Sequence, residues 1–156
     1  MGPEAATFAA EYELRSLADT AGLGARIAAG LAAGDTVSLE GDLGAGKTTL
    51  ARAILRALGL DEMVPSPSFT LVQLYETPLL PVSHYDLYRI ENPAEIDELG
   101  LDEALSEGAA LIEWPERAGD RLPADALHVQ LAITGEETRK ARVWGPVRWA
   151  AHLSPE

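Results

Sequence analysis

The chain has 156 residues, 25 acidic and 12 basic side chains, and a formal net charge of −13. That length suits one compact domain over residues 1–156, and 47% hydrophobic with 24% charged residues excludes a disordered chain. With no cysteine, disulfides, thiolate catalysis and zinc–thiolate sites are excluded; no run approaches the ~20 apolar residues of a membrane span, and Met1-Gly2-Pro3-Glu4 opens no signal peptide, so a cytoplasmic location is expected.

Residues 1–19 carry no pattern that assigns them. The first predicted helix runs from Thr20 to Ala33, on the spacing of Leu23, Ile27 and Leu31, with Gly34 as its stop. Thr36–Glu40 alternates as a strand. A glycine-rich segment, Gly41–Gly46, then leads into a helix from Lys47 to Leu58 whose buried face is Leu50, Ile54 and Leu58. Phe69–Tyr75 and Val82–Tyr88 read as an antiparallel hairpin. Asn92-Pro93-Ala94-Glu95 starts a helix, with Asn92 as cap and Glu95 reaching back to a free amide. Ala109–Glu113 is a short apolar strand for a sheet centre, and Leu127–Ile133 and Lys140–Trp144 flank a turn at Gly135. This alternation predicts an α/β sandwich with an antiparallel extension.

Gly41-Asp42-Leu43-Gly44-Ala45-Gly46-Lys47-Thr48 matches G-x-x-x-x-G-K-[ST] throughout. Glycines allow successive N–H groups to converge on an anion, and the following helix adds its positive end. Lys47 can bridge β- and γ-phosphates, and the Thr48 hydroxyl can ligate Mg²⁺. One of the chain's two lysines therefore stands where phosphate chemistry needs it. Asp97-Glu98-Leu99-Gly100 spells a GTPase-like D-x-x-G but falls at the end of a predicted helix, and no N-K-x-D follows, which favours ATP over GTP.

Mg²⁺ on phosphates calls for carboxylates at strand ends. Glu113 closes the apolar strand Ala109–Glu113 as in a Walker B strand, and Asp86 closes Val82–Asp86; a strand-end acid paired with Arg89 would look the same. His84 fits either a proton shuttle or a packed, hydrogen-bonded histidine. Trp114 fits either a cover for the site or ordinary packing. Ser66-Pro67-Ser68-Phe69 fits either a turn or a loop that senses a γ-phosphate.

Four segments in this order, Gly41–Thr49, Ser66–Phe69, His84–Arg89 and Ile112–Glu116, resemble the TsaE (YjeE) family, the bacterial P-loop ATPases of tRNA threonylcarbamoyladenosine biosynthesis. The likeness runs from about Thr20 to Arg142. It implies a P-loop NTPase-like three-layer α/β sandwich with a partly parallel sheet, binding of ATP or ADP with Mg²⁺, and slow intrinsic hydrolysis. It also implies work inside a complex that contains a glycoprotease-like threonylcarbamoyl transferase subunit and its inactive paralogue. On that resemblance, Gly44, Ala45, Gly46, Lys47, Thr48 and Thr49 would hold phosphates, with Thr48 and Glu113 on the metal. Asp86 would assist the metal or the attacking water, and Trp114 and Arg139 would lie near the nucleotide. Ser68 replaces a usual Thr and keeps the hydroxyl for a γ-phosphate contact.

Fourteen acids against only Arg89 and Arg117 lie in residues 61–120. Such a surface repels phosphate backbones, so tRNA would be reached only through the partners. Two other classes fit the phosphate loop: a nucleotide-gated binding module with negligible turnover, and a small-molecule kinase.

Overall fold

A computed structural model describes residues 7–61 and 71–153. Seven strands form one sheet in the order β1-β7-β6-β2-β5-β4-β3. They are β1 (Thr7–Leu14), β2 (Thr36–Glu40), β3 (Val72–Glu76), β4 (Pro81–Asp86), β5 (Ala109–Glu113), β6 (Leu127–Ile133) and β7 (Arg139–Pro146). The middle strands β6, β2, β5 and β4 run parallel. Antiparallel pairs close both edges, β3 on β4 at one end and β7 with β1 at the other.

The strand alternation sorts side chains onto two faces. Val37, Leu39, Leu111, Val129 and Val143 point to one face, where they pack with Leu23 and Ile27 of α1 (Leu17–Gly30) and Leu50 and Ile54 of α2 (Lys47–Ala57). The short α4 (Ala150–Leu153) packs on α1. Tyr85, Ala110 and Ile112 point the other way, onto Ile90, Ile96, Ala118 and Leu101 of α3 (Leu101–Glu107). Helical layers thus cover both faces, which is the three-layer α/β architecture expected.

Several expected bounds move: β4 is Pro81–Asp86 rather than Val82–Tyr88, β7 is Arg139–Pro146 rather than Lys140–Trp144, and α2 ends at Ala57. The first helix spans Leu17–Gly30 rather than Thr20–Ala33, because Ser16 caps it: its Oγ accepts from the Asp19 N–H at 3.3 Å, while Asp19 accepts from the Arg15 N–H at 2.8 Å. Leu31 is already extended (ψ 131°). The segment after Asn92 keeps the expected reciprocal cap but forms a 3₁₀ turn over Pro93–Glu98; Ile96 and Leu99 sit three apart and share an i→i−3 bond of 2.9 Å. Gly100, at φ 70°, then redirects the chain into α3. Within the unassigned N-terminal segment, residues 7–14 form edge strand β1, whose Phe8 and Leu14 enter the core.

Because β2, β4 and β5 are parallel, their carboxyl ends lie on one side of the sheet. The Gly41–Gly46 loop leaves β2 there, beside Asp86 at the end of β4 and Glu113 at the end of β5. Ligands of open α/β sheets bind at such carboxyl ends.

Candidate functional site

The phosphate-loop sequence is shaped by two constraints. Gly41 has φ 151°, and a Cβ there would stand 2.7 Å from the Leu131 carbonyl oxygen and 2.9 Å from Ala45 Cβ. Gly46 adopts φ 103° and ψ 17° as the residue before α2, a left-handed conformation that L side chains resist. The loop is drawn tight by the 3.0 Å bond from the Ala45 N–H to the Asp42 carbonyl, and the Gly46 carbonyl accepts from Leu50.

Lys47, the first residue of α2, is only 5% exposed. Its ammonium donates to the carbonyls of Gly41 (2.5 Å) and Asp42 (3.0 Å) and sits 4.0 Å from the centroid of the Trp114 ring. Burial pulls its pKa below the ordinary lysine value, against the opposing pull of Glu113, Glu116, Asp86 and Asp42. The Lys47 ammonium therefore faces several carboxylates across the cleft.

Thr48 comes next on α2. Its Oγ1 lies 3.0 and 2.9 Å from the two carboxylate oxygens of Glu113. Glu113 is 3% exposed and also meets His84 Nε2 at 2.7 Å. In register with Glu113 across β4 and β5 is Asp86, buried, with Oδ1 accepting from the Tyr88 N–H at 3.1 Å. Thr48, Asp86 and Glu113 line one cleft of about 350 Å³ with Lys47, Tyr88 and Trp114. Among the described residues no three His, Asp or Glu side chains group closely enough to hold an ion alone. A hydroxyl and two carboxylates are all hard oxygen donors, the partial set that suits Mg²⁺ completed by phosphate and water oxygens. Since Thr48 turns its proton to Glu113, its lone pairs remain for a cation.

Trp114 is half-buried and holds φ 59° and ψ 51°, a conformation that costs a non-glycine residue roughly 1–2 kcal/mol. Its backbone N–H donates to the Leu39 carbonyl (3.3 Å) and its ring packs on Tyr88, centroids 4.9 Å apart. That backbone places the indole beside the Lys47 ammonium, where it lines the cleft and packs on Tyr88.

A second cavity of about 660 Å³ adjoins the first and shares Gly44, Gly46 and Thr49 with it. Ala45, Leu131, Glu136, Glu137 and Arg139 line it, and its far wall is Leu14–Ala18, at the β1–α1 junction. Arg139 reaches the loop from the start of β7. Its Nη2 donates to the Gly44 carbonyl at 2.9 Å and its Nη1 to Thr138 (2.8 Å) and Gly135 (3.1 Å), so it braces the loop from behind.

Ten of the residues singled out from sequence thus meet around one trough: Gly44, Ala45, Gly46, Lys47, Thr48, Thr49, Asp86, Glu113, Trp114 and Arg139. Ser68, with the whole Ser66–Phe69 segment, lies outside the described residues. Sequence reasoning missed Tyr88, the Leu14–Ala18 wall and the bond from His84 to Glu113. The Ser16–Asp19 cap was the available signal for the wall.

A family model described as "Threonylcarbamoyl adenosine biosynthesis protein TsaE" matches residues 14–141. The chain is 40% identical over 131 residues to a tRNA threonylcarbamoyladenosine biosynthesis protein TsaE of Rickettsia bellii, an alignment covering 83% of this chain and 91% of the relative. It is 40% identical over 108 residues to the protein of that description from Bacillus subtilis (69% and 67% covered) and 38% over 138 residues to that of Streptomyces coelicolor (82% and 92%). A crystal structure of Bacillus subtilis YdiB superposes with a TM-score of 0.78 at 28% identity, covering 94% of this chain and 92% of that one.

Proposed function

Because the chain belongs to the TsaE family of threonylcarbamoyl adenosine biosynthesis proteins, we propose that it is a Mg²⁺-dependent ATPase of that pathway, weak alone and active within a complex. The observation that carries this reading is the meeting of Lys47, Thr48 and Glu113 at the carboxyl ends of parallel strands, against a loop whose glycines expose its amides. In this reading the phosphates lie in the smaller cleft and the nucleobase in the larger cavity, with Gly44, Gly46 and Thr49 between them.

Each residue has a task that its geometry allows. The amides of Gly44 to Thr49 cradle the phosphates, helped by the positive end of α2. Lys47 exchanges the Gly41 and Asp42 carbonyls for phosphate oxygens, which satisfy its ammonium better because they are charged. Thr48, with its proton on Glu113, and Glu113 itself hold the metal. Bound Mg²⁺ would neutralise charge on the β- and γ-phosphate oxygens. Asp86, in register with Glu113 and lining the same cleft, assists the metal or orients the attacking water.

Two features support partner dependence. Arg139 reaches the loop, but carbonyls of Gly44, Gly135 and Thr138 engage its guanidinium, so it is not poised to stabilise a transferring phosphoryl group. A cation delivered by a partner is worth several orders of magnitude in rate in other P-loop enzymes. The acidic stretch 61–120 further suits a protein that reaches tRNA through others, here the glycoprotease-like transferase subunit and its inactive paralogue, whose cycle the ATPase would reset or regulate. The test is hydrolysis of ATP by the chain alone and with both partners. A rise on adding them, lost in Lys47→Ala, supports the reading; unchanged hydrolysis while the partners bind would overturn it.

A further inference from the structure

We infer that His84 is a positioning residue for Glu113: its Nε2–H fixes the carboxylate in the orientation that serves Thr48 and the metal. This deepens, and rests on, the reading of the cleft as a Mg²⁺–nucleotide site.

The geometry is specific. His84 is fully buried in β4, and its Nε2 lies 2.7 Å from Glu113 Oε2, the oxygen that also accepts from Thr48 Oγ1 at 2.9 Å. In the parallel register His84 sits opposite Leu111 and Asp86 opposite Glu113, so His84 stands on the Asp86–Glu113 face, one pleat deeper than the two acids. It closes the site from beneath and does not line the cleft.

Nδ1, equally buried, has no hydrogen-bond partner among the described residues. The Glu113 carboxylate can only accept, so the ring nitrogen that faces it carries the proton. A shuttle needs a second partner to pass the proton on, so the packed, hydrogen-bonded alternative is the one the structure supports. With donors from both Thr48 and His84, the Glu113 carboxylate loses its rotation about the terminal bond. Outer-shell donors of this kind hold ligating carboxylates in place, and their loss costs about 10–100-fold in metal affinity.

The test uses the full chain and four variants: His84→Leu, His84→Gln, Glu113→Ala and the double His84→Leu/Glu113→Ala. ATP affinity is measured by calorimetry in Mg²⁺ and in EDTA, with circular dichroism as the fold control. His84→Leu is expected to bind ATP in EDTA as the unsubstituted chain does and to lose about tenfold of the Mg²⁺-dependent gain. His84→Gln, whose amide can donate from a similar place, recovers most of it. On the Glu113→Ala background, His84→Leu adds nothing.

A full Mg²⁺ gain in His84→Leu, equal loss in His84→Gln, or additivity with Glu113→Ala would overturn the inference. Nitrogen-15 NMR of the ATP-free chain reads the same bond without nucleotide: a protonated Nε2, its proton shifted by Glu113→Ala, is expected. A bare Nε2 sinks the inference even if the leucine variant does not fold. Should the unsubstituted chain bind ATP no better with Mg²⁺ than without, the reading of the cleft fails, while the NMR result still decides the His84–Glu113 bond.

Discussion

The Thr48 hydroxyl and the Glu113 carboxylate, 65 residues apart in sequence, lie at 3.0 and 2.9 Å through both carboxylate oxygens. Helix α2 brings the first and strand β5 the second, and their contact joins the phosphate loop to the sheet. Replacing Glu113 by alanine leaves the buried His84 donor and the Thr48 proton without an acceptor. Glu113→Ala is therefore expected to lose the Mg²⁺ dependence of ATP binding and about 1–3 kcal/mol of stability, whereas Glu113→Gln retains more of the stability than of the metal response. Thermal unfolding and calorimetry on both variants check this.

Two of the three loop glycines, Gly41 and Gly46, differ in a way that binding assays can read. A Cβ on Gly41 meets the Leu131 carbonyl at 2.7 Å, so Gly41→Ala must displace the loop. Gly46 has no atom within 4 Å of a built Cβ, so Gly46→Ala carries only the left-handed backbone cost of roughly 1–2 kcal/mol. ATP affinity should fall further in Gly41→Ala than in Gly46→Ala.

Arg139→Ala removes the 2.9 Å bond to the Gly44 carbonyl from a side chain that also ties the turn before β7. Affinity for ATP is expected to drop several-fold, by about 1 kcal/mol for one such charge-assisted bond, with the fold intact. A loss of turnover at unchanged affinity would instead assign Arg139 to the reacting phosphate.

Alkaline pH tests the far side of the sheet. Burial pushes the Tyr85 phenol up to about 12, and its hydroxyl donates to the Leu99 carbonyl at 3.1 Å. A folded pKa above the unfolded value of 10 means the stabilising contribution is complete below pH 10 and is lost as pH rises toward 12. Tyr85→Phe should lower stability by about 1 kcal/mol at neutral pH and flatten its decline above pH 10. Melting temperatures from pH 8 to 11.5 in both proteins measure the difference.

What was legible in the sequence follows from how local each feature is. Strands β2, β5 and β6 have the bounds expected of them, because buried apolar runs end abruptly at Glu40, at Glu113 and at the turn before Gly135. The stripe Leu23, Ile27, Leu31 reveals which face of α1 is buried but not where it ends, and it misplaced the start by three residues while the Ser16–Asp19 cap marked it. The N-terminal strand was also written in period two, through Phe8, Ala10, Tyr12 and Leu14. The spacing of Ile96 and Leu99 suits 3₁₀ and α turns alike, so the cap was readable and the helix type was not.

In the site, Lys47, Thr48, Asp86 and Glu113 could be named because a phosphate loop and strand ends are local patterns. The His84–Glu113 bond depends on the register of β4 against β5, and the Arg139–Gly44 brace on the path of the turn into β7. Neither is written in any single segment.

The account stands most directly on one calorimetric titration of the chain with ATP, in Mg²⁺ and in EDTA, alongside Lys47→Ala. It predicts clear binding that strengthens with Mg²⁺ and disappears in Lys47→Ala. Binding that is indifferent both to Mg²⁺ and to the loss of Lys47 would contradict it.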